Sequence, residues 1–361
     1  MRGHEDAVYG VAWSPDGKRL VTVSRDRTAR VWDAARGGER LVVRGHEDWV
    51  WGVAWSPDGM HLATTSEDCT SRVWGAALGE ELLVVRGHED AVYGVAWSPD
   101  GQRLATASQD RTSRVWDTAS GAALLVLRGH EDSVWGVAWS PDDQRLATTS
   151  GDRTARVWDA ARGTALLVLR GHEDWLIGVA WSPDGQRLAT TSHDRTVRVW
   201  DAARGEELLV LRGHEDSVWG VAWSPDGQRL VTASHDRTAR VWDAARGEEL
   251  LVLRGHEAGL LGVAWSPDGT RLATASRDGS ARVWDASDGT QLPSPCMHSD
   301  WVTAMAWSPD GTRLATASRD RTARIWDAVT DLDALVAKAR TRVFHELTDG
   351  ERRKLMLPER V

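Results

Sequence analysis

Serine, histidine and aspartate, the residue types of a hydrolytic triad, recur together along this 361-residue chain. The first group contains His4, Ser24 and Asp26, and Trp32 follows at the end of the same unit. In a serine hydrolase the His accepts the Ser proton and the Asp orients the His. The residue types alone are therefore compatible with acyl transfer.

The number of copies argues against catalysis. The same group recurs eight times in steps of 42 residues, beginning at His4, His46, His88, His130, His172, His214, His256 and His298. A catalytic site is needed once, whereas buried polar groups must be satisfied in every copy of a repeated unit. We therefore expect the groups to be structural and the protein not to be an enzyme.

Each 42-residue unit has the pattern of short β-strands separated by turns. In the first unit the apolar runs cover residues 8–13, 19–24 and 28–32, and Ser14-Pro15-Asp16-Gly17 supplies a turn. A fourth run follows in most units, as at residues 82–85. Four short strands cannot bury both faces of their own sheet, so neighbouring sheets must stack.

Gly-His, Ser-Pro-Asp-Gly, Ser-x-Asp and Trp-Asp at these spacings resemble the WD-repeat propellers, over about residues 3–328. The resemblance implies an all-β, eight-bladed WD-repeat β-propeller at residues 1–328, with four-stranded blades around a central channel. It also implies that His, Ser, Asp and Trp of each unit, such as His4, Ser24, Asp26 and Trp32, form a hydrogen-bonded tetrad.

The resemblance bears on how the ring closes. In the family the last blade usually takes its outer strand from residues before the first blade, and here such residues would precede Met1. We expect an open seam in the eighth blade, with an edge that the tail, a second copy or a partner could pair with. A seven-bladed ring with one displaced unit is the alternative.

The pattern becomes helical after Asp327, with an apolar stripe at Leu332, Leu335, Val336 and Ala339. We predict a short C-terminal helical tail at residues 329–361. Residues 337–357 resemble the C-terminal end of bacterial STAND-type signalling ATPases that carry WD-repeat sensors. The chain has no Gly-x-x-x-x-Gly-Lys-Ser/Thr motif for nucleotide phosphates, so it would be the sensor portion of such a protein.

Aromatic residues outside the repeated framework are confined to two repeat positions. Of 22 Trp, 16 belong to the two framework motifs, and the other six and both Tyr lie three or five residues after a tetrad His. They are Trp49, Trp51, Trp135, Trp175, Trp219, Trp301, Tyr9 and Tyr93. By resemblance, these positions begin the innermost strand near the top rim of the channel, where the family usually binds partners.

The residue before each turn Asp faces the same surface by resemblance, and it varies most between units. The series includes Arg25, Glu67, Gln109, Gly151, His193, His235, Arg277 and Arg319. Aromatic rings interspersed with charged groups are typical of an interface hot spot. The alternative is that the rings pack inward and line the upper channel. For His193 and His235 the alternatives are ligand contacts or proton switches and two ordinary surface histidines.

Composition restricts the partners. A net charge of −9 argues against nucleic acid, two Cys argue for a reducing compartment, and no apolar run reaches membrane-spanning length. The His and Cys outside the tetrads lack metal-site spacing, so we expect no metal and no cofactor. We predict a cytoplasmic, non-catalytic protein- or ligand-recognition domain, the sensor of a larger bacterial signalling or defence ATPase. The alternative is a constitutive protein-interaction scaffold.

Overall fold

A computed structural model describes residues 1–328, and the predicted helical tail lies outside them. Each of the first seven units forms a four-stranded antiparallel sheet in chain order, and the eighth forms a three-stranded sheet. The first strands of neighbouring sheets contact one another around the whole ring, and the first unit closes against the eighth. The predicted eight-bladed all-β propeller is confirmed, and the seven-bladed alternative is wrong.

The strands of each blade run from the channel outward. The innermost strands are β1 (Val8–Trp13), β5 (Val50–Trp55), β9 (Val92–Trp97), β13 (Val134–Trp139), β17 (Leu176–Trp181), β21 (Val218–Trp223), β25 (Leu260–Trp265) and β29 (Val302–Trp307). The second strands are β2 (Arg19–Ser24), β6 (His61–Ser66), β10 (Arg103–Ser108), β14 (Arg145–Ser150), β18 (Arg187–Ser192), β22 (Arg229–Ser234), β26 (Arg271–Ser276) and β30 (Arg313–Ser318).

The third strands carry the Trp-Asp motif or its variant. They are β3 (Thr28–Asp33), β7 (Ser71–Gly75), β11 (Ser113–Asp117), β15 (Thr154–Asp159), β19 (Val197–Asp201), β23 (Ala239–Asp243), β27 (Ser280–Asp285) and β31 (Ala323–Asp327). The outer strands are β4 (Glu39–Arg44), β8 (Glu81–Val85), β12 (Ala123–Leu127), β16 (Ala165–Arg170), β20 (Glu207–Leu211), β24 (Glu249–Leu253) and β28 (Gln291–Met297).

Turn chemistry defines two faces. The Ser-Pro-Asp-Gly turns lie at one end of the blades, here called the bottom face, and Gly17 takes a positive φ of 66° there. The Ser-x-Asp turns and the Gly-His loops lie at the other end, the top face. Close packing of the inner strands depends on glycine, because a Cβ on Gly52 would lie 2.8 Å from the carbonyl oxygen of Tyr93 in the next blade.

The hydrophobic core lies between blades rather than within them. One cluster joins Val21, Val31 and Val43 of the first blade to Val50, Leu62 and Trp74 of the second. Each inner-strand Trp also donates its indole N–H to an Ala carbonyl of the preceding blade, at 2.9–3.4 Å. Stacking therefore satisfies apolar and polar groups together, as a repeat architecture requires.

An Arg at the start of most second strands holds neighbouring blades together at the bottom face. The guanidinium of Arg187 lies 4.6 Å from the ring centroid of Trp223 in the next blade, and it donates to the carbonyls of Ala244 and Gly227. Arg313 makes the same contacts across the closing interface, over Trp13. In the second blade His61 replaces this Arg and only stacks on Trp97, with the centroids 6.3 Å apart.

The eighth blade is incomplete in the described part of the chain. Its sheet contains β29, β30 and β31, and Met1 begins a fourth row by donating its amino group to the Ala323 carbonyl at 2.9 Å. Arg2 forms a single bridge with Thr322. Within residues 1–328, no regular strand pairs with the edge of β31 beyond this bridge, and the open seam stays a prediction.

Candidate functional site

The repeated polar groups form the same buried network in every blade, but the hydroxyl is not the predicted one. In the first blade Thr22 Oγ1 lies 2.8 Å from His4 Nε2 and accepts the indole N–H of Trp32 at 2.9 Å. The expected Ser24 instead donates to the Asp6 carbonyl and accepts the backbone N–H of Asp26. The tetrad prediction was therefore wrong about Ser24, because a hydroxyl at the strand end is used by the turn backbone.

The other seven blades repeat this arrangement closely. The His Nδ1 atoms lie 2.7–2.9 Å from the turn carboxylates. The eight Thr next to the His rings are fully buried, from Thr22 to Thr316. A substrate cannot reach a hydroxyl in this position, so the networks have the geometry of a framework rather than of a hydrolytic site.

The network carboxylates are held in their charged form. Burial alone would raise the pKa of Asp26, but the hydrogen bond and charge of His4 and the Thr28 hydroxyl outweigh it. The net result is a pKa well below the usual range of an aspartate. Asp320 shows the same balance, with its pKa lowered to about 2.

The first part of the top-face rim is a run of aromatic contacts across four blades. Tyr93 stacks on Trp135 with the centroids 4.8 Å apart, and it meets the edge of Trp51 at 6.0 Å. Trp51 also meets Tyr9 at 4.8 Å and Trp49 at 5.8 Å. The structure therefore brings these five predicted residues together.

Arginines continue this run through the blades that close the ring. Arg25 lies over Trp49 at 3.8 Å and near Tyr9 at 5.1 Å. Arg319 lies over Trp301 at 3.8 Å and near Tyr9 at 5.8 Å. Contacts of this kind are cation–π attractions, which hold each guanidinium next to a ring.

Histidines complete the series in the fifth and sixth blades. Arg277 lies 4.5 Å from the Trp301 centroid and 6.0 Å from that of Trp219. His193 contacts both Trp175 and Trp219 edge-on, at 5.9 and 5.7 Å. We call this series, which runs from Trp135 through the closing blades to Trp175, the top-face arc.

His193 and His235 lie in adjacent blades, and each contacts Trp219. His235 stacks on Trp219 at 4.7 Å and accepts its indole N–H at 3.2 Å. Burial and then the charge of Arg277 lower the pKa of His235 to about 4. A histidine with this pKa is neutral near pH 7 and accepts the indole proton.

Two polar residues of the arc were not among the predicted site residues. Gln109 accepts the Tyr93 hydroxyl at 2.5 Å, and Ser217 lies 2.9 Å from Nδ1 of His193. Glu67, which was predicted, accepts the indole N–H of Trp51 at 2.5 Å. Gln109 occupies the variable position before the turn Asp, and Ser217 occupies the third position after His214, where other units carry Trp, so the sequence carried a signal for both.

The aromatic residues of the arc combine the two arrangements considered from the sequence, an exposed binding surface and rings packed against one another. Trp175 is 49% exposed, and the other rings are half-buried against one another. Mutual packing fixes their orientation, while each keeps part of its surface open to the top face. The structure therefore supplies a preformed aromatic and cationic surface. Within residues 1–328, no helix could cross a membrane.

Comparisons with known proteins agree with this fold. Coronin-7 of Rattus norvegicus is 52% identical over 33 residues, which are 9% of this chain and 4% of that protein. Striatin-4 of Mus musculus is 47% identical over 38 residues, 10% of this chain and 5% of that protein. These matches therefore span only a small part of the relatives' length.

A solved structure covers much more of the chain. The crystal structure of the computationally designed Ika8 protein has a TM-score of 0.82 and 26% identity, covering 90% of this chain and 97% of that one. The family model "WD domain, G-beta repeat" matches residues 1–33, 38–75, 79–117, 121–159, 163–201, 205–243, 247–285 and 289–327. Eight matches account for nearly all of the described residues, and the chain belongs to the WD-repeat family.

Proposed function

We propose that this protein is a non-catalytic recognition domain that binds a protein or peptide on its top face. WD-repeat propellers are in general protein-interaction domains. The observation that supports this face is the top-face arc, in which every non-framework Trp and Tyr lies within ring or cation contact of another arc residue. The arc residues differ from blade to blade, whereas the framework residues repeat, so the fold itself does not require these differences.

The arc has the composition that concentrates binding energy. Trp, Tyr and Arg are the residues most enriched at interface hot spots, and rings already packed against neighbours lose little conformational entropy on binding. Trp51 and Trp301 would provide apolar area, and Glu67, Arg25 and Arg319 would orient the partner.

Selection from a random peptide library on the immobilised full-length protein tests this proposal. We expect the variant with Trp49, Trp51, Trp175 and Trp301 all changed to Ala to lose binding of the selected peptides by roughly 30-fold or more. A matched control removes four exposed leucines from outer strands, with Leu82, Leu124, Leu166 and Leu208 changed to Ala, and should bind normally. Equal loss in both variants, or none in the first, would place binding elsewhere.

We propose further that the domain is the sensor portion of a larger bacterial signalling or defence ATPase. The support is the sequence resemblance of residues 337–357, and the competing proposal is a constitutive scaffold. Reading the source gene for a phosphate-binding Gly-x-x-x-x-Gly-Lys-Ser/Thr module in the same polypeptide tests it. Such a module, with nucleotide turnover that changes when the top face is occupied, supports sensing, and its absence favours the scaffold.

The edge of β31 is a second candidate contact, for a partner strand or a second copy. Strand addition to such an edge needs backbone hydrogen bonds and one apolar row, and the outer strands of other blades show the required pattern. A peptide with the sequence of residues 205–211 should raise the melting temperature of the protein, while a scrambled peptide should not. If the peptide has no effect and the protein stays monomeric at high concentration, the edge is not a docking site.

A further inference from the structure

Three arginines of the top-face arc come from adjacent blades and share two aromatic rings. Arg319 lies between Tyr9 and Trp301, Arg25 approaches Tyr9 from one side, and Arg277 approaches Trp301 from the other. The seventh, eighth and first blades therefore present a continuous cationic sector, which we call the arginine sector.

The guanidiniums of the arginine sector have no anionic partner in residues 1–328. The Nε atoms of Arg25, Arg277 and Arg319 are buried without a hydrogen-bond acceptor, and the hydroxyl of Tyr9 is also buried and unpartnered. Glu67, the one acidic residue predicted for the arc, is occupied by the indole of Trp51. Within residues 1–328 the terminal nitrogens of these arginines donate no hydrogen bond either, so the sector has unused capacity for an anion there.

Other buried arginines of the chain show what a satisfied partner looks like. Through a terminal nitrogen, Arg30 pairs with Glu39 in the first blade and Arg240 pairs with Glu249 in the sixth, although the Nε atoms of both also lack an acceptor. In the arginine sector the positive charges instead crowd one another. Burial, followed by the charge of Arg319, lowers the pKa of Arg277, while Asp216 only partly offsets this shift.

We propose that the arginine sector binds a carboxylate side chain of the partner, so that the ligand of this face is an acidic peptide segment. The inference rests on the proposed function of the top face and adds the chemistry of the ligand. Contact with a ring holds each guanidinium in place, and its two terminal nitrogens can donate to both oxygens of a carboxylate. Trp301, Trp49 and Tyr9 would then contact apolar residues next to the acidic one.

Nine-residue peptide pools with random flanks and a fixed central residue test the proposal on the full-length protein. The central residue is Glu, Gln, Lys or phosphoserine in separate pools. We expect the Glu pool to bind about tenfold more tightly than the Gln pool, as a charge-assisted pair allows, with the Lys pool weakest. Added salt should reduce this preference.

Variants separate the arginine sector from general charge. Changing Arg25, Arg277 and Arg319 to Gln should reduce the preference for the Glu pool over the Gln pool below about twofold, because the guanidinium–carboxylate pairs that produce the tenfold preference are removed. Changing the exposed turn residues Arg111, Arg153 and Arg195 to Gln removes the same net charge and should leave the preference unchanged. If the triple variant of the sector melts early, Arg319→Gln alone is compared with Arg153→Gln.

The outcomes distinguish this inference from the proposed function. Glu and Gln pools that bind equally well, with binding still lost when the arc tryptophans are changed, would overturn the acidic ligand and retain top-face recognition. Selective binding of the phosphoserine pool alone would replace the carboxylate by a phosphate. No binding from any pool would overturn both.

Discussion

Arginines stack on aromatic rings at both faces of the propeller, but they differ in what their N–H groups do. At the bottom face Arg187 covers Trp223 and donates to two carbonyls of the same neighbouring blade. At the top face the guanidinium of Arg25 lies closer to Trp49, at 3.8 Å, but its side chain donates no hydrogen bond within residues 1–328. The bottom-face pairs complete the interfaces between blades, whereas the top-face pairs leave donors free.

The difference separates framework from binding surface. In the framework the buried side chains of each His network have partners, as His4, Thr22 and Trp32 show. Satisfied networks fix one packing arrangement and contribute to stability. Unsatisfied groups in a preorganised aromatic surface are useful only if something else supplies the partner, which makes their position a guide to function.

The largest test of this comparison is acid unfolding. The eight network carboxylates, such as Asp26 and Asp110, have pKa values lowered in the folded state. Their contribution to stability is therefore present above the unfolded pKa of about 4 and is lost as pH falls below it. We expect the free energy of unfolding, measured in urea, to fall by roughly several kcal/mol in total between about pH 4 and pH 2.

Protonation of the top-face arc should lower the free energy of unfolding at a higher pH than protonation of the network carboxylates, and by a smaller amount. The pKa of His235 is lowered to about 4, so its contribution is present above the unfolded pKa of about 6.5 and is lost as pH falls towards 4. His235→Gln should remove this share while leaving the steep loss below pH 4 intact. A variant that abolished the acid transition itself would contradict the assignment of that transition to the network carboxylates.

Hydroxyls test the comparison within one blade. Thr106 Oγ1 lies 2.8 Å from His88 and accepts the indole of Trp116, whereas the buried hydroxyl of Ser113 has no partner. Thr106→Val should cost about 2 kcal/mol, because it leaves buried groups without partners. Ser113→Ala should be neutral or slightly stabilising. Denaturant unfolding of the two variants measures the difference, and equal losses would show that hydrogen bonding is not the distinguishing factor.

Arginine truncation compares the two faces directly. Arg187→Ala should cost about 1–2 kcal/mol, because it removes two hydrogen bonds and a cation–π contact between blades. Arg25→Ala should cost less than about 1 kcal/mol, since it removes cation–π contacts but no hydrogen bond of its side chain. Thermal unfolding measures both, and a larger loss for Arg25→Ala would make the top-face pairs part of the framework.

Much of the fold could be predicted from the sequence because every unit repeats the same signals. The 42-residue period and the Ser-Pro-Asp-Gly turns gave eight blades, and the departures from the repeat identified the arc residues such as Trp51 and Arg319. Thr22 could not be preferred over Ser24 because alternate residues of a strand share a face, and only packing decides which hydroxyl reaches His4.

The arrangement of the arc depends on contacts between blades, which local patterns do not encode. No sequence feature indicated that Tyr93 stacks on Trp135 rather than on Trp51, or that Ser217 reaches His193 from the next blade. The unpartnered state of the arginine donors is also a property of the assembled rim. Side-chain neighbours separated by 24 or more residues can be read only from the closed ring.

A small gain of stability is expected at the joint between the second and third blades. His61 occupies the position of Arg187 there, stacks on Trp97 at 6.3 Å and does not reproduce the two carbonyl contacts. His61→Arg should restore the bottom-face pair and stabilise the protein by about 0.5–1 kcal/mol, the range of an exposed cation–π contact. His61→Lys is the matched control, because it adds the charge without the planar group that stacks and donates in two directions. A rise in melting temperature for Arg and not for Lys would attribute the stabilisation to the geometry of the guanidinium, whereas equal gains would attribute it to charge alone.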